Sequence, residues 1–303
     1  MSSTDTHDPV RLRRSVLSVP AINQRALDKV SSLDCDAVIF DLEDSVAPEK
    51  KAEARDNLRR LFAEGSASGR ERIIRVNAVD SDFFADDMAA VIACAPDGVL
   101  LPKVDEPEDV QTVADLLSEA DAPEGLKIWA MMETPRAILN AAAIAKYGRT
   151  AGARLDCFVV GLNDLRKETG VLPDPERTYL VPWLMQVVLA ARAFGIEVID
   201  SVCNDFRDLD AFGRECAQGR AMGFDGKMLI HPAQIDLANR HFGPGEEEIG
   251  EARAIVEAFA DPAAQGLNVV NSGGRMIERL HLQQAERLLA KADLIDSRKG
   301  KSP

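Results

Sequence analysis

The chain reads as an α/β protein, a (β/α)8 TIM barrel with a C-terminal helical extension. Three observations predict this. Short apolar stretches recur eight times, each ends in polar residues, and the repeat is nearly regular. From Pro20 to His231 is 211 residues in seven steps, about 30 per step, the length of one strand, one helix and two loops. Barrels of this kind carry their chemistry where the strands end, so the polar strand ends are the place to look for function.

The predicted strands are Ser15–Pro20, Ala37–Asp44, Ile73–Asn77, Val99–Lys103, Ile128–Glu133, Phe158–Asp164, Val198–Asn204 and Lys227–His231. Helical spacing of apolar residues follows over Glu49–Phe62, Pro107–Glu119, Pro135–Ala145, Tyr179–Phe194 and Asp208–Met222. Pro48, Pro107 and Pro135 suit helix starts, where the missing N–H would go unpaired anyway. Gly243-Pro244-Gly245 then breaks the chain, and helices over Glu246–Ala260 and Leu280–Leu294 flank a short extended stretch at Val269–Val270. The expected division is a barrel over residues 11–242 and an extension over 243–297 that packs on the barrel or on a neighbouring subunit. Residues 1–10 and 297–303 read as tails without structure.

Composition narrows the function. Apolar content of 46% and charged content of 28% are ordinary for a soluble globular protein, and no apolar run approaches the ~20 residues of a membrane span. A net charge of −14 argues against non-specific binding to nucleic acid or anionic membranes. The N-terminus lacks an apolar signal core, and the five cysteines are widely spaced with no C-x-x-C pair, so a cytoplasmic protein with reduced thiols is expected.

Strand alternation assigns faces. In the second strand Val38, Phe40 and Leu42 share the helix-facing side, leaving Ile39, Asp41 and Glu43 toward the barrel axis. In the third, Ile73, Arg75 and Asn77 point inward, and in the fourth Val99, Leu101 and Lys103 are read as inward. Glu133 and Asp164 end the fifth and sixth strands. One reading is a structural ion-pair network of Arg75 and Lys103 against Asp41 and Glu43. The other is a metal site: Asp41, Glu43, Asp44, Glu133 and Asp164 outnumber Arg75 and Lys103, and a divalent ion would offset the excess. Oxygen ligands without a histidine or cysteine cluster favour Mg²⁺, or Mn²⁺, over Zn²⁺. Spacing alone leaves both readings open, since Asp164 suits a helix cap and Glu133 precedes the helix-start pair Thr134-Pro135.

Seven segments in order carry a resemblance. They are Arg14-Ser15-Val16-Leu17-Ser18-Val19-Pro20, Asp41-Leu42-Glu43-Asp44-Ser45-Val46-Ala47-Pro48, Arg75-Val76-Asn77, Leu101-Pro102-Lys103, Glu133-Thr134, Gly161-Leu162-Asn163-Asp164 and Gly223-Phe224-Asp225-Gly226-Lys227-Met228-Leu229-Ile230-His231-Pro232. Over residues 11–295 the chain resembles the citrate lyase β-subunit-like branch of the HpcH/HpaI aldolase superfamily. The resemblance implies a Mg²⁺-dependent acyl-CoA lyase cleaving a malyl-, citramalyl- or citryl-CoA-type thioester. Related alternatives are a malyl-CoA thioesterase and the β-subunit of a citrate lyase complex acting on a substrate bound to acyl-carrier protein. A homotrimer, or a hexamer of trimers, is expected.

The resemblance also implies roles. Glu133 and Asp164 would ligate Mg²⁺, Glu43 and Asp44 would hold its waters, and Arg75 would contact the oxo-acid oxygen. Glu278, after Gly274-Arg275-Met276, is the candidate acid supplied to a neighbouring subunit, and it stands where related lyases often carry aspartate. Asn23 occupies a position where some relatives have arginine. Coenzyme A is a polyanion, so an acidic protein needs a local basic patch. Arg11, Arg13 and Arg14 before the first strand, with Lys50, Lys51 and Arg55 after the second, are the candidates, and Lys103 is a further phosphate or ion-pair partner. No P-loop, G-x-S-x-G elbow, H-E-x-x-H or G-x-G-x-x-G occurs, and Trp129 reads as core.

Overall fold

The structure, a computed structural model, describes residues 10–65, 69–261, 266–272 and 275–299. The chain divides into two compact units, residues 13–242 and residues 243–299 together with 10–12 among those described. The first is the predicted barrel. In chain order it runs β1 (Ser15–Pro20), α1 (Gln24–Lys29), β2 (Ala37–Asp41), α2 (Lys51–Ala63), β3 (Glu71–Arg75), α3 (Phe84–Cys94), β4 (Gly98–Leu101), α4 (Pro107–Glu119), β5 (Lys127–Met132), α5 (Pro135–Tyr147), β6 (Leu155–Val160), α6 (Leu162–Thr169), α7 (Val181–Ala193), β7 (Glu197–Asp200), α8 (Leu209–Met222), β8 (Gly226–Leu229) and α9 (Ile235–Phe242). The eight strands pair in parallel in sequence order, and β8 closes on β1 through Val16 opposite Met228.

Two apolar layers build it. Val16, Ile39, Ile73, Leu100, Trp129, Met131, Val159, Ile199 and Met228 fill the barrel interior. Val38, Phe40, Leu42, Ile74, Val99 and Leu101 pack outward against helix residues such as Leu58, Met88 and Val113. Alternation thus assigns β2 and β3 correctly. The fourth strand is a correction: Val99 and Leu101 face the helices and Leu100 faces the axis. Its sequence Gly-Val-Leu-Leu is apolar throughout, so it holds no alternation to read.

Strands end earlier than expected, and this moves the polar residues into loops. β2 stops at Asp41, so Glu43 and Asp44 lie in the turn after it, and β6 stops at Val160, which places Asp164 in the first turn of α6. The short helices α1, α3, α6 and α9, six to eleven residues long, lie outside the predicted helical stretches. Among the predicted caps, Thr134 Oγ1 accepts from Ala137 N–H at 3.0 Å ahead of Pro135.

The second unit holds α10 (Glu246–Ala260), an antiparallel pair β9 (Val269–Ser272) and β10 (Arg275–Glu278), and α11 (Arg279–Lys299). α10 and α11 pack on each other. The helix α11 runs through residues 297–299, where a tail was expected, while residues 1–9 and 300–303 lie outside the described residues. Among the described residues no helix is long and apolar enough to cross a membrane.

Candidate active site

At the C-terminal end of the barrel the interior layer gives way to polar side chains. Inward positions one or two residues beyond Val16, Ile39, Ile73, Met131, Val159 and Ile199 are Ser18, Asp41, Arg75, Glu133, Gly161 and Ser201. These six line a cavity of about 360 Å³ together with Asp44, Asn163, Asp164, Asn204, Met228 and Ile230 among others.

Arg75 is buried and organises one wall. Its Nε donates to Asp41 Oδ1 and its Nη2 to Asp41 Oδ2, both at 2.7 Å. Nη1 lies 2.9 Å from Glu43 Oε2 and 3.8 Å from Asp44 Oδ2. The Glu43 contact lies off the N–H direction, so it is an ion pair without a hydrogen bond, and Glu43 Oε2 is buried without another partner. Burial pushes the Glu43 carboxyl up to about 7 even though Arg75 opposes the shift. Burial would raise Asp41 as well, but the Arg75 charge and hydrogen bonds from Arg75 and the following loop hold it below the usual carboxylate range.

Glu133 lines the cavity directly after β5 and is 2% exposed. Its Oε1 accepts the Lys103 backbone N–H at 2.8 Å. Burial, with the charges of Glu43 and Asp164 nearby, raises it to about 8. The backbone around it is shaped for close approach. Lys103 has φ of +51°, a conformation uncommon for a non-glycine residue, and this turn carries the amide that faces Glu133. At Gly161 an added Cβ would stand 2.6 Å from the Glu133 Cβ and closer still to Oε2, so only glycine fits.

The cavity therefore carries Asp41, Asp44, Glu133 and Asp164 against Arg75 alone, with Glu43 beside it. A carboxylate wall this unbalanced fits a hard divalent cation. Among the described residues no three Asp, Glu, His or Cys side chains converge into a closed cage. Mg²⁺ usually keeps several waters and takes one or two carboxylates from the protein. Glu133, directly after β5, and Asp164, in the first turn of α6, are the carboxylates that could hold one.

The other sequence candidates fare differently. Arg14 is a correction: it lies at the opposite, N-terminal end of the barrel, where its Nε and Nη2 grip Asp36 at 2.8 and 2.9 Å. Arg13 is also there, paired with Glu71, Glu197 and Asp156 and stacked 4.6 Å from the Trp129 ring centroid. Lys51 is a second correction: it is buried, and its Nζ donates to Leu42 O, Glu43 O and Asn77 Oδ1 at 2.7 to 2.8 Å, clasping the loop after β2. Arg55 is committed to Asp86 and Asp87, and Lys50 pairs with Glu53. Arg13, Arg14, Lys51 and Arg55 of the expected phosphate patch are thus engaged by partners within the protein. Asn23 caps α1 at the cavity end of β1, its Oδ1 accepting from Ala26 N–H at 3.2 Å. Lys103 is exposed at the same end. Glu278 stands in the second unit, exposed, with its N–H donated to His281 Nδ1 at 3.0 Å. Gly274 lies outside the described residues.

Sequence reasoning missed Gly161 and the Lys103 amide as parts of the site. It also missed Asp200, Arg177 and Glu215 as the partners of Lys227, of which Asp200 and Arg177 are buried. There Lys227 Nζ lies 2.9 Å from Asp200 Oδ2 and 2.6 Å from Glu215 Oε1, and Arg177 Nη1 lies 2.8 Å from Asp200 Oδ1. Lys227 faces the helices there, away from the cavity, as the alternation from inward Met228 requires.

Comparison with known proteins places this geometry. The chain is 44% identical over 282 residues to the (3S)-malyl-CoA thioesterase of Cereibacter sphaeroides strain ATCC 17025, covering 93% of this chain and 95% of the relative. It is 32% identical over 303 residues to the mitochondrial citramalyl-CoA lyase of Homo sapiens, covering 97% of this chain and 89% of the relative. The crystal structure of the protein CitE from Mycobacterium tuberculosis, in complex with magnesium, acetoacetate and coenzyme A, superposes with a TM-score of 0.71 at 27% identity, covering 92% of this chain and 97% of that one. The sequence profile of the family described as HpcH/HpaI aldolase/citrate lyase matches residues 14–232, all eight barrel strands included, and the chain belongs to that family.

Proposed function

We propose that this chain is a Mg²⁺-dependent acyl-CoA lyase. It cleaves a malyl-, citramalyl- or citryl-CoA-type thioester to acetyl-CoA, or a short acyl-CoA, and a 2-oxo acid. The observation that carries this reading is the carboxylate excess at the barrel mouth, where Asp41, Asp44, Glu133 and Asp164 share a cavity with a single arginine, Arg75. Support comes from the relative named a citramalyl-CoA lyase and from the solved relative that holds magnesium and coenzyme A.

On this reading Glu133 and Asp164 hold the ion, which when bound would lower the pKa of the substrate hydroxyl and stabilise charge on its oxygen. Arg75 presents Nη1 to the oxygen that becomes the oxo-acid carbonyl, where fixed positive charge lowers the barrier most. As the C–C bond breaks, its electrons pass to the acyl-CoA fragment as an enolate, which must then gain a proton at carbon. Glu43 and Asp44 hold water and the proton released from the hydroxyl, and a carboxyl near 7 at Glu43 suits proton exchange at neutral pH. Glu278, delivered from a neighbouring subunit, is our proposed acid for the enolate. Asn23 and Lys103 contact the substrate from the rim. No side-chain nucleophile or Schiff-base lysine is required.

A second reading has its own support: the relative at 44% identity is named a malyl-CoA thioesterase. Water would then attack the thioester and release free thiol. A third, a β-subunit acting on an acyl-carrier-protein substrate, is left open by the family's citrate lyase members. The deciding assay uses purified protein with Mg²⁺ and malyl-, citramalyl- and citryl-CoA, and records oxo acid and free thiol in parallel. Oxo acid without thiol is the expected result. Stoichiometric thiol would move the assignment to the thioesterase, and silence on all three esters would overturn both in favour of the carrier-bound substrate. We further propose a cytoplasmic homotrimer or hexamer of trimers, which light scattering of the purified protein would test. The five free cysteines support a reducing compartment.

A further inference from the structure

Asp41 ends β2 with its carboxylate inside the barrel, and each of its oxygens receives two donors. Oδ1 accepts Arg75 Nε at 2.7 Å and the Glu43 backbone N–H at 2.8 Å. Oδ2 accepts Arg75 Nη2 at 2.7 Å and the Ser45 backbone N–H at 3.1 Å. On the lyase reading above, on which this inference rests, we propose that Asp41 is the positioning residue of the reaction. Its one carboxylate sets both the direction in which Arg75 delivers its charge and the shape of the loop that carries Glu43 and Asp44.

The guanidinium has two edges that can meet an oxygen in a fork. The Nε/Nη2 edge is taken by Asp41, which leaves Nη1 and the outer N–H of Nη2 without a hydrogen bond to oxygen. Around Nη1 stand Glu43 Oε2 at 2.9 Å, Met131 Sδ at 3.7 Å and Asp44 Oδ2 at 3.8 Å. None of these holds it in a well-aligned hydrogen bond to oxygen, so a substrate oxygen can take that place at small cost. Were Asp41 absent, the guanidinium would be free to turn its fork onto Glu43 or Asp44. Nη1 would then point elsewhere and the carboxylates intended for water or proton traffic would be tied up.

The loop is fixed from two sides. Asp41 takes the N–H groups of Glu43 and Ser45, while Lys51 Nζ takes the carbonyls of Leu42 and Glu43. Aspartate alone has the right chemistry here. Asparagine offers one acceptor oxygen, and its amide would face Arg75 together with either the Glu43 or the Ser45 N–H, donor to donor. Glutamate is one methylene longer, which carries the carboxylate away from the N–H two residues on. Burial opposes ionisation of Asp41, but Arg75 and the four donors outweigh it and keep the carboxyl below its ordinary range.

A simple structural ion pair would change stability and nothing else, so the test reads geometry and turnover separately. In the full chain with Mg²⁺, ¹⁵N spectra resolve arginine Nε–H groups, and Arg75→Lys identifies the Arg75 signal by its loss. The wild-type Arg75 Nε–H is expected to exchange with water at least about 100-fold more slowly than the exposed Arg207. In Asp41→Asn that protection disappears and kcat falls about 100-fold, while KM and the half-saturating Mg²⁺ concentration stay within threefold. Either of two results overturns the proposal: a wild-type Nε–H that exchanges as fast as the exposed arginines, or Asp41→Asn with kcat within threefold of wild type. If Asp41→Asn does not fold, Asp41→Glu, which keeps the charge but shifts the carboxylate, takes its place, and kcat within threefold of wild type overturns the proposal. Absence of turnover by the wild-type chain on all three esters would sink the lyase reading alone, and exchange would still report on Asp41.

Discussion

Both ends of this barrel place an arginine among carboxylates, and they use it in opposite ways. At the N-terminal floor Arg13 spends all three guanidinium nitrogens, on Glu71, Glu197 and Asp156, and lies over the Trp129 ring. Beside it Arg14 grips Asp36 through both edges of one fork. At the C-terminal mouth Arg75 spends two nitrogens on Asp41 and leaves the third facing the cavity. There burial raises Glu43 to about 7 and Glu133 to about 8, and one oxygen of Glu43 has no hydrogen bond. The floor is an ion cluster that closes the barrel. The mouth, among the described residues, sets more carboxylates than cations around one cavity. The floor sets Arg13 and Arg14 against four carboxylates and the mouth sets Arg75 against five; the ends differ in that ratio and in whether each donor and acceptor has been used.

The largest expected effect tests the mouth. Glu133→Gln and Asp164→Asn should each lower Mg²⁺-dependent turnover at least 1,000-fold, roughly 4 kcal/mol. The fold should survive, because removing a buried negative charge from an unbalanced wall relieves repulsion. Turnover at saturating Mg²⁺ and a thermal melt measure the two halves. Cooperative unfolding lost together with activity would mean that the mouth is a structural cluster like the floor.

The next effect tests the floor. Arg13→Met leaves Glu71, Glu197 and Asp156 without their shared partner, and a loss of about 3 kcal/mol in urea unfolding is expected. Turnover by the folded fraction should not change, since the mouth lies a strand length away. A drop in kcat larger than the loss of folded protein would show that the two ends are coupled.

Gly161→Ala probes how tightly the mouth is built. Its Cβ would meet Glu133 Cβ at 2.6 Å, so the backbone at one of the two positions must shift and carry the Glu133 carboxylate with it. Apparent Mg²⁺ affinity should weaken about 10- to 100-fold, as expected when a metal ligand loses its orientation. Isothermal titration with Mn²⁺ would measure it. Unaltered affinity would remove Glu133 from the ligand set.

Much of this contrast was legible in the residues, and some of it was not. The eight units and the inward faces of β2 and β3 followed from alternation, and Arg75, Asp41, Glu43, Glu133 and Asp164 do meet at one cavity or its edge. The β4 face was not legible, because four apolar or small residues in a row have no phase. The basic patch failed for a different reason. Arg14 and Lys51 find their partners in Asp36, which lies at the far end, and in the carbonyls of Leu42 and Glu43. A carbonyl is present at every residue, so a lysine that binds one leaves no mark on the sequence. Gly161 did leave a mark: a glycine sits at the inward position after Val159, directly before the residues that carry Asp164. What it accommodates became clear only from the position of Glu133 on the neighbouring strand.

The smallest effect separates two jobs of one residue. Lys103 gives its amide to Glu133 from a left-handed backbone, and its side chain extends from the rim into solvent. Lys103→Gly keeps the N–H and accepts φ of +51° more readily, so the anchor of Glu133 should stay intact. Only the rim charge is lost, and an exposed charge facing a polyanionic substrate is worth about 1 kcal/mol at most. KM for the CoA ester should therefore rise about 3- to 5-fold, with kcat and the Mg²⁺ titration unchanged. The rise should shrink in 0.5 M salt, where the Debye length falls to roughly 4 Å. A fall in Mg²⁺ affinity in this variant would mean that the ammonium, rather than the amide, supports the mouth. Arg75 would then have a second cation beside it, and the mouth would stand closer to the saturated floor than its hydrogen bonds suggest.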